Sequence, residues 1–192
     1  SPRIAGTVIR VDSGASLVDT GSGVLRCTLR GRLSRSRRSA VRLIAVGDRA
    51  KVEPGAEGHG VIEAVAPRRT KLSRRAAGPR QHEQVVAANV DQTLVVGAFS
   101  EPPLNLDMID RYLVAAHNSG IRPFLVVNKA DRVAASGFDM TTLLAPYRRR
   151  GYRILETSVK TGTGLEELAA WLRDKTTAFV GQSGVGKSSL IN

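Results

Sequence analysis

Residues 181–188 read GQSGVGKS and follow directly on the apolar run TAFV. No other feature restricts the possible folds as tightly. A glycine, four intervening residues and then Gly-Lys-Ser make a phosphate-binding loop where a strand ends and a helix starts. The glycines let the chain turn closely enough for main-chain N–H groups to surround phosphates. Lys187 can then reach the β and γ phosphates, and the Ser188 hydroxyl can help hold Mg²⁺. Gly181, Gln182, Ser183, Gly184, Val185, Gly186, Lys187 and Ser188 therefore form the first candidate site. A plain glycine turn competes poorly, because a chain of this composition yields the whole pattern by chance less than about once in a hundred.

The rhythm of residues 85–192 suits such a loop. DQTLVVGA and RPFLVVN are apolar runs of the kind that form parallel strands covered on both faces. Between them, DMIDRYLVAAHNSG places Met108, Ile109, Tyr112, Leu113 and Ala116 on one helical face, with Gly120 as the stop. YRILETS predicts a third strand and TAFVG a fourth. TGLEELAAWLRDK predicts a helix, with Thr163 and Glu166 in capping-box spacing and Leu165, Leu168 and Leu172 turned to the sheet. Within DMTTLLAPYRRRG, Pro146 is expected to interrupt a continuous helix.

A second motif, NKAD at Asn128–Asp131, closes the strand RPFLVVN. Doubly wound sheets take ligands at the carboxyl ends of their strands. A carboxylate at Asp131 can accept both the ring N1–H and the exocyclic amine of guanine, a donor pair that adenine lacks. Asn128 would hold the loop and approach the base edge, while the Lys129 stem would cover the base face. TSVK, at Thr157–Lys160, ends the next strand and could turn a main-chain N–H toward the guanine carbonyl. The bland reading of NKAD is a strand-ending turn. A P-loop kinase or ATPase is the competing enzyme class, and for it Asp131 would be a coincidence. His59, His82 and His117 stand in no motif.

The first half is different in kind. Residues 1–84 hold 17 Lys and Arg against 7 Asp and Glu, whereas residues 85–192 hold 12 against 10. Most of the net charge of +12 therefore lies in the first half, which suggests a polyanionic partner such as nucleic acid. A solvated basic surface is the alternative. AGTVIRVD, GVLRCTLRG, VGDRAKVEP and GHGVIEAVAP read as short strands. In the second, Leu25, Cys27 and Leu29 face inward while Arg26, Thr28 and Arg30 face out. Their number and spacing predict a small OB-type barrel over residues 1–70, and an SH3-like barrel fits the pattern almost as well. GRLSRSRRS carries Arg32, Arg35, Arg37 and Arg38. PRRTKLSRRAAGPR carries Arg68, Arg69, Lys71, Arg74 and Arg75 and is expected to lead through a basic linker at 71–84. These arginines and lysines are the RNA-binding candidates. Neither segment has aromatic residues to stack on bases, so backbone and shape recognition is expected. Cys27 is the single cysteine and no apolar run is long enough to span a membrane, so the expectation is a cytoplasmic protein without disulfides.

The order of the two motifs decides among these readings. In ordinary GTPases the phosphate loop precedes the guanine motif, but here NKAD comes 53 residues before GQSGVGKS. That order is the mark of a circular permutation. With a basic OB-like domain in front, QVVAANVDQTLVV, IDRYLVAA, NKAD and GQSGVGKSSLIN resemble the ribosome small-subunit-dependent GTPase A family, over nearly the whole chain. ANVDQ, Ala88–Gln92, and the two nucleotide motifs in reversed order are the most specific parts.

The resemblance implies an OB-type barrel followed by a circularly permuted α/β GTPase domain at 85–192. It implies GTP/GDP and Mg²⁺ as ligands, and late maturation of the small ribosomal subunit as the task, with the barrel on 16S rRNA. Asn128, Lys129 and Asp131 would recognise guanine, with Ser158, Val159 and Lys160 in support; Val159 stands where the family more usually has Ala. Gly181–Ser188 would bind phosphates, and Ser188 the Mg²⁺. The family's switch regions and zinc-binding domain would follow Asn192, so the catalytic group is expected beyond the chain and the 192 residues read as a fragment, truncated after the phosphate loop. Taken alone, that fragment is expected to bind GTP weakly, hydrolyse it negligibly and aggregate through an open edge at TAFVG. The expected state of the protein is monomeric, away from membranes. An RNA-binding module with a vestigial nucleotide site and a permuted GTPase of large-subunit assembly are the alternatives.

Overall fold

The computed structural model describes residues 2–31, 44–75, 83–133 and 139–192. The chain divides into two compact units, Ser1–Val90 and Asp91–Asn192.

In the first unit five strands close into a barrel in the order β1-β2-β3-β5-β4: β1 Ile4–Val11, β2 Ser16–Asp19, β3 Val24–Leu29, β4 Arg49–Pro54 and β5 His59–Val65. All neighbours are antiparallel except β3 and β5. Five strands in this order are the OB-type arrangement, so the SH3-like alternative falls away. Period-2 alternation produces the wall: Cys27 is buried and Leu25 and Leu29 half-buried, while Arg26 and Thr28 are exposed. Val8, Val18, Cys27, Ile44, Ala50, Val52 and Ile62 fill the interior, an aliphatic core of the kind the few aromatics require.

The stretch expected as linker, 71–84, carries strand at both ends. β6, Lys71–Arg75, pairs antiparallel with β7, Glu83–Ala88, and both belong to the first unit. A segment rich in Arg and Ser has little helix or strand signature by itself. Its pairing depends on the apolar QVVAA of β7, the next strand in the chain.

In the second unit the strand order is β10-β9-β8-β11, all parallel: β8 Gln92–Ala98, β9 Arg122–Asn128, β10 Ile154–Glu156 and β11 Thr177–Val180. Helices cover both faces, which is why every residue of β8 is buried. Val95, Leu125 and Val127 pack against α1, Leu106–Asn118, and α2, Met140–Arg149. Leu94, Val96, Phe124 and Val126 pack on the other side against Leu168, Trp171 and Leu172 of α3, Leu165–Leu172, and that side continues to Val185 and Leu190. In α1 the buried side chains are Ile109, Leu113 and Ala116, and Gly120 leaves the helix with φ +65°.

Two helix expectations are corrected. Pro146 lies inside α2 instead of interrupting it. Asp139 caps the helix by accepting from the N–H of Thr141 and Thr142, and Met140, Leu144 and Tyr147 are buried; together these offset the hydrogen bond that proline lacks. At α3 the capping box does not form. Gly164 is the N-cap with φ +70°, and the Thr163 hydroxyl bonds that of Thr161 instead. A Cβ at 164 would stand 2.3 Å from the Glu156 carbonyl oxygen, so the turn needs glycine there.

ANVDQ also gains a physical account. Asn89 accepts from the Arg69 N–H and donates to the Gly47 carbonyl. Asp91 accepts from the Thr176 N–H, and the Gln92 amide donates to the Trp171 carbonyl and Thr177 Oγ1. Each polar side chain ties down main chain within its own unit.

Candidate nucleotide-binding site

The carboxyl ends of β9, β10 and β11 carry the three motifs read from the sequence. Gly181 leaves β11 with φ +151° and passes so close to β8 that a Cβ would meet the Val96 carbonyl oxygen at 2.2 Å. The loop then turns through Gly184 (φ +84°) and Gly186 (φ +93°), pinned by the buried Val185, and enters α4, Lys187–Ile191. Lys187 Nζ donates to the carbonyls of Gly181 (3.0 Å) and Gln182 (2.8 Å), which holds its ammonium over the cradle. Ser183 and Ser188 are exposed.

Asn128 joins the two motifs. Its side chain is buried; Nδ2 donates to the Val185 carbonyl at 3.0 Å and Oδ1 accepts from Thr157 Oγ1 at 3.1 Å. One amide thus links the ends of β9 and β10 to the middle of the phosphate loop. A Cβ at Gly186 would stand 2.3 Å from that same Nδ2, so the loop needs glycine there on two counts.

Asp131 follows in a short 3-10 turn, Ala130–Arg132, with its carboxylate exposed. Ser158 Oγ donates to Asp131 Oδ1 at 2.6 Å, and this bond holds the carboxyl below its usual value of 3.8, helped by the charges of Lys160 and Arg132. Ser158 is buried and its N–H donates to the Thr163 carbonyl, while Val159 and Lys160 are exposed. Lys129 adopts a left-handed conformation, φ 62°, and its Nζ donates to the Glu101 carbonyl; the Glu101 carboxylate pairs with Arg132. Beside the loop, an open hollow of about 380 Å³ is lined by Pro103–Asp107 and Gln182.

A family model described as RsgA GTPase matches residues 65–192. The chain belongs to the RsgA GTPase family. Among relatives of that name, the small ribosomal subunit biogenesis GTPase RsgA of Azotobacter vinelandii is 45% identical over 188 residues, covering 96% of this chain and 51% of its own. The Chlorobaculum tepidum protein is 40% identical over 199 residues, covering 98% and 63%. The chain thus spans about half to two thirds of the length of these curated relatives. Crystalline YjeQ from Thermotoga maritima matches with TM-score 0.73 and 33% identity, over 100% of this chain and 64% of that one. YloQ, described as a circularly permuted GTPase, matches with TM-score 0.70 and 28% identity, over 99% and 63%. The permutation read from motif order and the barrel-plus-GTPase architecture both agree with the RsgA GTPase fold.

The structure brings the nucleotide candidates together more completely than the basic ones. Arg32, Arg35, Arg37 and Arg38 lie outside the described residues. Arg68 holds the fully buried Asp48 with two bonds, Nε at 2.7 Å and Nη2 at 2.8 Å, so its charge is used within the barrel. Arg69 and Lys71 are exposed, and Arg74 and Arg75 belong to β6. Sequence reading assigned no site role to Thr157 or Glu101. Thr157 sat within the TSVK motif and could have been found there, but Glu101 had no motif to mark it. Among the described residues no cluster of three metal-ligating side chains occurs, and no helix is long and apolar enough to cross a membrane.

Proposed function

We propose that this chain supplies the guanine- and phosphate-binding half of a GTPase that serves maturation of the small ribosomal subunit. The observation that carries this is the Asn128 bridge to Val185, which fixes the base-reading strand end against the phosphate loop. The Asp131 carboxylate, ionised and held by Ser158, takes the guanine N1–H and amine. With the Ser158 N–H already bonded to Thr163, the main chain of Val159 and Lys160 is left for the base carbonyl. N–H groups of 182–188 and the Lys187 ammonium hold the phosphates.

The residues present fit magnesium. Mg²⁺ takes most of its oxygens from phosphate and water, and Ser188 offers one further hard oxygen at the start of α4. When bound, the ion would neutralise charge on the β and γ phosphates. Zinc is proposed only for a C-terminal domain outside this chain, as the family resemblance implies. The barrel meets 16S rRNA late in subunit assembly, in the cytoplasm and as a monomer. The names of the relatives support the small subunit as the partner, and the charge of residues 1–84 supports a nucleic-acid contact.

The test is GTP turnover by a protein carrying this chain, with and without each purified ribosomal subunit. Stimulation by the small subunit is expected. Stimulation by the large subunit alone would move the protein to large-subunit assembly, and turnover unmoved by either would favour an RNA-binding module.

A further inference from the structure

The barrel shows which of its positive charges are available to a partner. Arg3 and Arg30 face the buried Glu63, and Arg30 also pairs with Glu53 at 2.9 Å. Arg10 pairs with Asp12, Arg68 is bound to Asp48, and Arg69 and Lys71 are engaged as well. Of the basic side chains described on the five barrel strands, Arg26 on β3 and Arg49 and Lys51 on β4 make no ion pair with a described residue.

Arg49 and Lys51 stand two apart on one strand and so share its outer face, roughly 6.5–7 Å from each other along the chain. Register sets their neighbours. Lys51 lies opposite Ala5 on β1 and Ala64 on β5, and Arg49 lies opposite Thr7 on β1. All five are exposed. Two cationic heads therefore rise from a floor of small side chains with no carboxylate at a facing position. Asp19 is the next residue out, beyond Thr7, and one of its oxygens already accepts from the Gly21 N–H. The β2–β3 wall, through which OB barrels usually take oligonucleotides, sets the single Arg26 opposite Leu17 and puts Asp19 beside Val24.

We propose that the β1–β4 wall of the barrel, with Arg49 and Lys51 as its contacts, is the docking surface for an RNA phosphate backbone. The proposal rests on the RNA reading given above. The small floor lets a polyanion approach both heads at once, and their spacing is comparable to that of neighbouring phosphates along a strand. The wall carries no aromatic ring, so binding there is tolerant of sequence.

The test measures affinity of a protein carrying this chain for purified small ribosomal subunits as salt is raised. Three variants are compared with wild type: R49Q/K51Q, R49E/K51E and R26E. R49Q/K51Q should weaken binding roughly fifteen- to thirtyfold near 0.15 M salt and lower the slope of log K against log salt by about 1.4–1.8, the loss of two phosphate contacts. R49E/K51E should bind more weakly still, R26E should change by less than about threefold, and GTP affinity should be the same in all four. If wild type binds no subunit, the RNA reading fails and takes the proposal with it. If wild type binds and R49Q/K51Q matches it in affinity and slope, the RNA reading stands and this wall is not its surface.

Discussion

Replacing Asp131 by asparagine tests the guanine assignment at its narrowest point. The carboxylate has two oxygens, and Ser158 Oγ occupies part of one at 2.6 Å. The remaining acceptor capacity matches the two N–H donors on the guanine edge. An asparagine amide would keep one oxygen, already bonded by Ser158, and would turn its N–H₂ toward the guanine amine. The ring N–H keeps only a neutral acceptor, the amine bond is lost, and a donor faces a donor. Asp131 is exposed, so water replaces part of each bond, and about tenfold per bond is a fair expectation, roughly 10²-fold in GTP affinity. Xanthosine triphosphate reverses the effect, because its second carbonyl accepts from the asparagine amide while its ring N–H still donates. The assay is competition of GTP, xanthosine triphosphate and ATP against a fluorescent guanine nucleotide, on wild type and Asp131→Asn. Equal weakening toward all three would mean that Asp131 supports the fold of the site without reading the base. An unchanged GTP affinity would refute the assignment outright.

Four further perturbations probe the contacts around the site and the barrel. Gly186→Ala puts a Cβ against Asn128 Nδ2 in a left-handed conformation, so it should cost about 1–3 kcal/mol in a urea melt and abolish measurable GTP binding; normal binding would show that the loop relaxes elsewhere. Asn128→Ala leaves the Val185 carbonyl and the Thr157 hydroxyl without their partner and should destabilise by about 2–4 kcal/mol, read by the same melt. Arg68→Ala strands the buried Asp48 carboxylate and should cost about 3–5 kcal/mol, whereas a fully stable variant would return Arg68 to the RNA candidates. The Ser158 bond favours the ionised form of Asp131, so this contribution is complete above the unfolded value near 3.8 and is lost only as pH falls through the lower folded value. GTP affinity should therefore be level from pH 7 to about 5, and a decline centred above pH 5 would point to another group.

What could be read from the sequence was whatever local chemistry fixes. Both nucleotide motifs combine glycines or a polar turn with a preceding apolar strand, and the barrel strands announce themselves by alternation around Cys27. What could not be read depends on contacts that no segment makes by itself. Pro146 is held helical by the packing of Met140, Leu144 and Tyr147, and β6 is a strand because β7 pairs with it. The fate of each arginine is set in the same way: Arg68 meets Asp48, and Arg30 meets Glu53 and Glu63, through barrel closure. Charge counting gave the sign of the first unit's surface, but only the folded barrel shows that Arg68 is paired with Asp48 while Arg49 and Lys51 stand on an outer face opposite small side chains.

The reversed motif order has a simple physical reason to be harmless. The site is an arrangement of strand ends, and hydrogen-bonding between strands, not chain order, sets which ends are neighbours. β11 follows β10 in the chain yet pairs with β8 at the opposite edge of the sheet, which brings the phosphate loop beside the ends of β8 and β9. Asn128 and Val185 then meet across 57 residues of sequence, with the loop running past Val96 at the closest distance a glycine allows. Any chain order that preserves the strand order β10-β9-β8-β11 would rebuild the same contacts. If so, moving the join between chain segments away from these strand ends should leave the Asn128–Val185 bond and GTP affinity intact, whereas a one-residue slip of β11 against β8 should abolish both, because it would turn Phe179 and Val180 to the wrong faces and withdraw Gly181 from Val96.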